Sequence, residues 1–272
     1  MINFNIINMA WSYTHVAALV LGTIQTASAA CDRATLQNIT NSYIAAQTSG
    51  SVAPISSFIN GTDYRENNKT AAISSGILSQ ALKIDHNRTT LDTTQCASYS
   101  ELIVANSAHP YVIGTQLYLS NSMTTPEGPL ISKIDTLVTD QGDWLFNATG
   151  TLYWASRENW GPIETASRDS RQTIQAAADA YLDYFRDKSV VVPWGTPCAR
   201  LEGGVYTGKG AATDSCNVGV PNDINLTDRR YIIDEETGEV DVFLSFVSSP
   251  DSHEFRVEGG KLRFVHTLTV ME

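Results

Sequence analysis

An internal repeat constrains the fold more than any other feature of the sequence. Arg33-Ala34-Thr35-Leu36…Tyr43-Ile44 matches Arg171-Gln172-Thr173-Ile174…Tyr181-Leu182 at a constant offset. Arg88…Asp92 matches Arg230…Asp234, and Gly142-Asp143-Trp144-Leu145-Phe146 matches Gly260-Lys261-Leu262-Arg263-Phe264. The order helix, loops, strand, long hairpin therefore occurs twice. On this match Asp135 stands where His253 does and Ala148 where His266 does, while Tyr111–Leu119 has no counterpart.

Hydrophobic spacing supplies the elements. Asp32–Ala46 is a helix with Leu36, Ile39, Tyr43 and Ile44 on one face. Arg168–Arg186 is the clearest helix, with a stripe of Ile174, Ala177, Ala178, Tyr181, Leu182 and Phe185. Ala71–Leu82 reads as a shorter helix. Ile84–Asp92, Tyr111–Leu119, Ile131–Thr139 and Asp143–Trp154 read as strands, and Asp228–Val247 as a hairpin. Ser122–Pro129 is a loop. Asp251–Val270 is a second hairpin that turns at Gly259-Gly260. In it Leu262, Phe264, His266, Leu268 and Val270 share one face, and His253, Phe255 and Val257 share another run of alternate positions. Both histidines are expected to point to the same half-buried side, inside a concave sheet.

The chain has 272 residues and a net charge of −11, which disfavours nucleic acid and anionic membranes as partners. Residues 1–30 contain no Asp, Glu, Lys or Arg; Val16–Ile24 is mostly apolar, and Ala27-Ser28-Ala29 is a small-residue cleavage pattern. This predicts a secretory signal peptide and no stable membrane insertion. Four cysteines in an exported chain predict two disulfides. Of three connectivities, the local pairing Cys31–Cys96 and Cys198–Cys216 is favoured. Six N-x-S/T sequons, at Asn38, Asn60, Asn68, Asn87, Asn147 and Asn225, suit a glycoprotein of the secretory pathway, lumenal or secreted. Gly203–Lys209 has phosphate-loop spacing, but Gly210 follows where a Ser or Thr is needed. No metal and no cofactor are expected.

Helices followed by long antiparallel strands give an α+β fold. The pieces CDRATLQNITNSYIAAQTSG, GDWLFNATGTLYW, RRYIIDEETGEVDVFLSF and DSHEFRVEGGKLRFVHTLTV resemble secreted fungal proteins of mostly unknown function, which are similar to the ketosteroid-isomerase-like cyclases of maleidride pathways. The resemblance implies tandem cones of the nuclear-transport-factor-2-like (NTF2-like) type, each with helices on a curved sheet, packed as a pseudo-dimer. The expected domains are 31–160 and 161–272, after the leader at 1–30. It also implies a small acidic or anhydride polyketide-derived substrate, and dimerising cyclisation as one reaction of the group.

The chemistry expected is cofactor-independent isomerase, cyclase or lyase catalysis by proton abstraction next to a carbonyl. His266 is the leading base, His253 the second, and Tyr181 the donor to an enolate oxygen, with Tyr43 its counterpart. Arg171, Arg200 and Arg230 are candidates to hold a carboxylate or anhydride. Asp179 and Asp183 are expected in solvent. Arg230 with Asp234, and Arg88 with Asp92, are expected as structural ion pairs. The alternative is a secreted non-catalytic protein that carries a small molecule or contacts a host. Partners expected are a small molecule and, for assembly, a second copy of the chain as a homodimer.

Overall fold

A computed structural model describes residues 31–55, 57–120 and 129–271. The expected leader at 1–30 lies outside these residues, as does the Ser122–Pro129 loop except for Pro129. The elements in order are α1 (Arg33–Ser49), β1 (Phe58–Glu66), β2 (Lys69–Thr70), β3 (His86–Asp92), β4 (Ala97–Val104), β5 (Tyr111–Leu119), β6 (Ile131–Thr139), α2 (Ala148–Ala155), α3 (Arg171–Asp183), β7 (Trp194–Glu202), β8 (Val205–Tyr206), β9 (Leu226–Asp234), β10 (Glu239–Phe246), β11 (Ser249–Glu258) and β12 (Lys261–Thr269).

The strands form two six-stranded sheets, ordered β2-β1-β6-β5-β4-β3 and β8-β7-β12-β11-β10-β9. Adding six to each strand number of the first order gives the second. In both sheets the first and last long strands pair parallel, β1 with β6 and β7 with β12, and the other pairs are antiparallel. The fold is α+β, with two mixed sheets, few helices and two disulfides.

Local chemistry starts each helix in the same way. Asp32 accepts from Thr35 N at 2.9 Å ahead of α1, and Ser170 accepts from Thr173 N at 3.2 Å ahead of α3. Gly50 then ends α1 in the left-handed conformation, at φ 64°. The apolar stripe of α1 packs on one face of the first sheet, and that of α3 on one face of the second. The remaining two faces meet each other, with Ala97, Tyr99 and Leu137 against Ile232, Phe243 and Val270. Both faces of both sheets are therefore buried. The disulfides are Cys31–Cys96 and Cys198–Cys216.

Ion pairs cross between the halves in a reciprocal pattern. Arg33 of α1 binds Asp234 of β9 through two bonds of 2.9 and 2.8 Å. Arg171 of α3 binds Asp92 of β3 through two bonds of 2.8 and 2.6 Å. These replace the expected pairs Arg88–Asp92 and Arg230–Asp234. Residues four apart on a strand lie about 13 Å apart, beyond ion-pair reach. Arg88 turns instead to Glu254 and Glu101, and Arg230 to Asp135 at 3.4 Å and Asn68.

Three expectations are corrected. Asp143–Trp154 is a turn followed by α2, because Asn147 accepts from Gly150 N at 3.0 Å and caps a helix there. Ala71–Leu82 contains only the short helical turn Ile77–Ser79. The counterpart of β11–β12 is the β5–β6 hairpin, not Ile131–Trp154. His253 pairs with Thr267 as Thr115 pairs with Thr136, and Glu254 pairs with His266 as Gln116 pairs with Asp135. Thr115 is thus the equivalent of His253, Asp135 that of His266, and Tyr111–Leu119 has its partner in β11.

Candidate functional site

The two histidines of the last hairpin point to opposite faces of their sheet. Register pairs His253 with Thr267 and Glu254 with His266, so neighbours in sequence alternate between the faces. A bulge at Arg256/Val257 shifts the parity once more. Leu262 consequently joins the α3 core, while Phe264 and Leu268 face the other way.

His266 lies on the face that meets the first half. Its Nδ1 is 3.0 Å from Glu101 Oε1, and its Nε2 is 2.6 Å from Glu158 Oε2. The Arg88 guanidinium sits 3.2 Å from the same Nδ1, bonds Glu254, and stacks 3.8 Å over Trp160. Burial alone would lower the imidazole pKa, but Glu158 and Glu101 outweigh it and push it up to about 9. Both ring nitrogens are engaged by carboxylates, which leaves neither for a substrate. Glu101, Glu254 and His266 bring donor atoms within 4.8 Å of one another. Arg88 contacts all three, so a guanidinium already supplies the positive charge there.

His253 lies on the α3 side and borders a cavity of about 610 Å³. Its Nδ1 is 2.5 Å from Asp251 Oδ1. Asp251 is two residues away on the same strand face and fully buried. Its other oxygen accepts from Thr269 Oγ1 at 2.5 Å. With Nδ1 taken by the Asp251 carboxyl group, Nε2 is the ring nitrogen left for a ligand. Arg200 and Glu202 of β7 complete the polar wall, with Arg200 Nε 3.2 Å from Glu202 Oε1. The rest of the lining is mainly apolar, including Phe185, Val205, Ile224, Phe246 and Val247. The Cys198–Cys216 disulfide ties the segment that carries Gly219, Pro221 and Ile224 of the wall to β7.

The first half contributes Trp144 and Leu145 to this wall. Their approach needs glycine at the β7–β8 turn. Gly203 has φ 57°, and a Cβ there would come within 2.2 Å of Trp144 O. In the first half itself, Thr115 stands in the place of His253 and bonds Tyr43 Oη at 2.7 Å. Ile77 and Leu78 are buried in the α1 core there, held by Gln47 to Ile77 O at 2.8 Å.

The remaining sequence candidates fall in several places. Arg200 and His253 line the cavity together. Tyr181 does not line it; its hydroxyl accepts from Arg200 Nη1 at 3.2 Å, and burial and Glu202 raise its pKa. Arg171 and Arg230 lie in a groove at the seam of the halves, with Lys133 and Arg229. Asp179 and Asp183 hold Arg229 at 3.1 and 2.7 Å. The sequons at Asn38, Asn68, Asn87, Asn147 and Asn225 are on exposed residues. Asp251, Glu202, Trp144 and Leu145 were not singled out from the sequence. Asp251-x-His253 on a strand was the readable signal, since i and i+2 share a face.

A family model described as a domain of unknown function, DUF8021, matches residues 167–269. The match runs through α3 and all six strands of the second sheet, and it includes every residue of the cavity lining except Trp144, Leu145 and Met271. No curated protein and no solved structure matches the chain. No helix among the described residues is long and apolar enough to cross a membrane.

Proposed function

We propose that the cavity of the second half is the site of a cofactor-independent isomerase, cyclase or lyase that removes a proton next to a carbonyl. The observation that carries this is the His253–Asp251 pair, 2.5 Å apart, on the wall of a mostly apolar cavity that also holds Arg200. Nε2 of His253 takes the proton, and the C–H electron pair becomes the enolate. Asp251 stabilises the imidazolium through Nδ1–H, as a buried carboxylate does for a catalytic histidine. Arg200 is the positive group available to the enolate oxygen. Return of the proton to a different carbon gives isomerisation; attack of the enolate on an electrophilic carbon gives ring formation.

The equal strand order of the two sheets supports reading them as tandem NTF2-like cones, with domains at 31–160 and 161–272. On that reading only the second cone is catalytic. The substrate suggested by the fungal resemblance is a small acidic or anhydride polyketide-derived compound. Two disulfides are compatible with a secreted or lumenal, glycosylated protein that makes a secondary metabolite.

A second reading, a non-catalytic carrier of small molecules, is favoured by one observation. Arg200 already serves Glu202, Tyr181 and Val218 O, so its charge is shared before any ligand enters. Deuterium uptake at the α-carbon of a bound ketone separates the two. The enzyme exchanges it, and Asp251→Asn slows that exchange about 100-fold or more, within the usual range for general-base catalysis. Tight binding with no exchange above the buffer rate would identify the carrier.

A further inference from the structure

Among the described residues nine large apolar side chains are exposed, and five of them line this one cavity: Trp144, Leu145, Val205, Val247 and Met271. A monomer scatters such residues singly, whereas a cluster beside a cavity marks a recognition surface. The backbone under two of them is unusual as well. Leu145 has φ 48° and Val247 has φ 62°. Left-handed backbone favours Gly, Asn or Asp, and a β-branched residue there is an outlier. Val247 opens the tight turn from β10 to β11 and is 73% exposed, so packing does not account for valine at that position. Strained residues persist where function holds them.

The polar end of the cavity narrows the ligand further. Its charged wall consists of Asp251, Glu202 and Arg200, that is, two carboxylates and one guanidinium already paired with Glu202. Whereas an enolate forms only as His253 gains the compensating proton, a carboxylate brought to His253 would meet two carboxylates against one guanidinium and lose its hydration. A neutral carbonyl would not.

From these two ends we infer that the cavity takes an uncharged ketone or ester with a long apolar body. Its carbonyl lies at His253 and Arg200, and its hydrocarbon crosses the rim formed by Trp144, Leu145, Val247 and Met271. Rim residues come from both halves of the chain, from the segment ahead of α2 and from β10 to the C-terminal end. The inference rests on the proposed carbonyl site and names its substrate class. It differs from the small acidic compound suggested by the resemblance, and the alkanoate arm of the titration decides between the two.

Isothermal titration of 2-butanone, 2-hexanone, 2-octanone and 2-decanone, alongside butanoate to decanoate, tests it. Each added methylene is expected to lower Kd about fourfold in the ketone series. Octanoate is expected to bind at least about tenfold more weakly than 2-octanone, the cost of desolvating its charge beside two carboxylates. Trp144→Ala should flatten the series beyond six carbons. Val247→Gly relieves the left-handed valine, so its thermal midpoint should be no lower than that of the wild type while its affinity for 2-decanone falls. A flat chain-length series, equal or tighter binding of the alkanoates, or an unchanged 2-decanone affinity in both variants would overturn the inference. So would adsorption to phosphatidylcholine vesicles that 2-decanone does not displace, which would give the rim to a lipid surface. The ketone series with no deuterium exchange would keep this ligand class and remove the enzyme.

Discussion

Arg171 at the start of α3 holds Asp92 at the end of β3 through two bonds, and its counterpart Arg33 returns the contact to Asp234. Each half thus presents an arginine from its first helix to a buried aspartate of the other. Asp92 and Asp234 also accept backbone N–H groups across the seam, from Ile233 at 2.9 Å and Leu91 at 3.1 Å. The seam is a pair of equivalent polar clamps around the apolar contact of the sheets.

The clamps should be unequal. Asp92 is fully buried and the Arg171 side chain 21% exposed, whereas the Arg33 side chain is 34% exposed. Removing one partner of a buried pair strands the other charge. Arg171→Ala is expected to cost about 3 kcal/mol in urea unfolding, and Arg33→Ala distinctly less. Asp92→Asn added to Arg171→Ala should recover part of the loss. Equal, small effects of both arginine variants would show that the clamps do not hold the halves together.

The buried cluster around His266 gives a pH dependence. His266 faces Arg88 and His86 of β3, Glu101 of β4, Glu254 of β11 and Glu158 of the connector after α2. Its pKa is pushed up to about 9, above the unfolded value, so the folded chain binds the extra proton more tightly. The stability this contributes is complete below about pH 6.5, the unfolded histidine pKa. It is lost as pH rises through about 9. Burial and Glu254 push Glu239 of the same seam up to about 8, so its ionisation acts in the same direction. Thermal midpoints should fall from pH 6.5 to 9, and His266→Gln should flatten the upper part of that decline. A midpoint that rises over this interval would contradict the cluster's geometry.

Reduction of Cys198–Cys216 should act on the site more than on the fold. The bridge closes a short loop, worth about 3 kcal/mol by loop entropy. That loop precedes Gly219, Pro221 and Ile224 of the cavity wall. Cys198→Ala with Cys216→Ala should therefore weaken ligand binding by more than Cys31→Ala with Cys96→Ala does, since the latter pair ties α1 to β4 away from the cavity. Equal losses in calorimetric titration would remove the loop from the site.

Much of this architecture could be read before the structure. The stripes of α1 and α3 and the Gly259-Gly260 turn follow from local chemistry, and the cysteine pairing is the local one of three possible connectivities. The faces of the last hairpin could not be read. Alternating apolar residues at Phe264, Leu268 and Val270 mark a buried face, but the other face of the same strand is buried too, under α3. Alternation finds burial and not which neighbour causes it, so His253 and His266 read alike in the sequence although they face opposite sides of the sheet. The segment Asp143–Trp154 misled in a related way. Its aromatic residues suit a strand, and only the cap at Asn147 and the contact with Gly203 and Gly204 make it a turn and helix.

In the proposed reaction His253, oriented by Asp251, moves the proton, and His266 does not. Deuterium uptake into 2-octanone from D2O, followed by proton NMR at equal protein concentration, tests it most directly. His253→Ala is expected to lose about 100-fold or more of the exchange rate, while folded His266→Gln keeps a rate close to that of the wild type. Exchange that survives in His253→Ala and disappears in a folded His266→Gln would contradict that assignment.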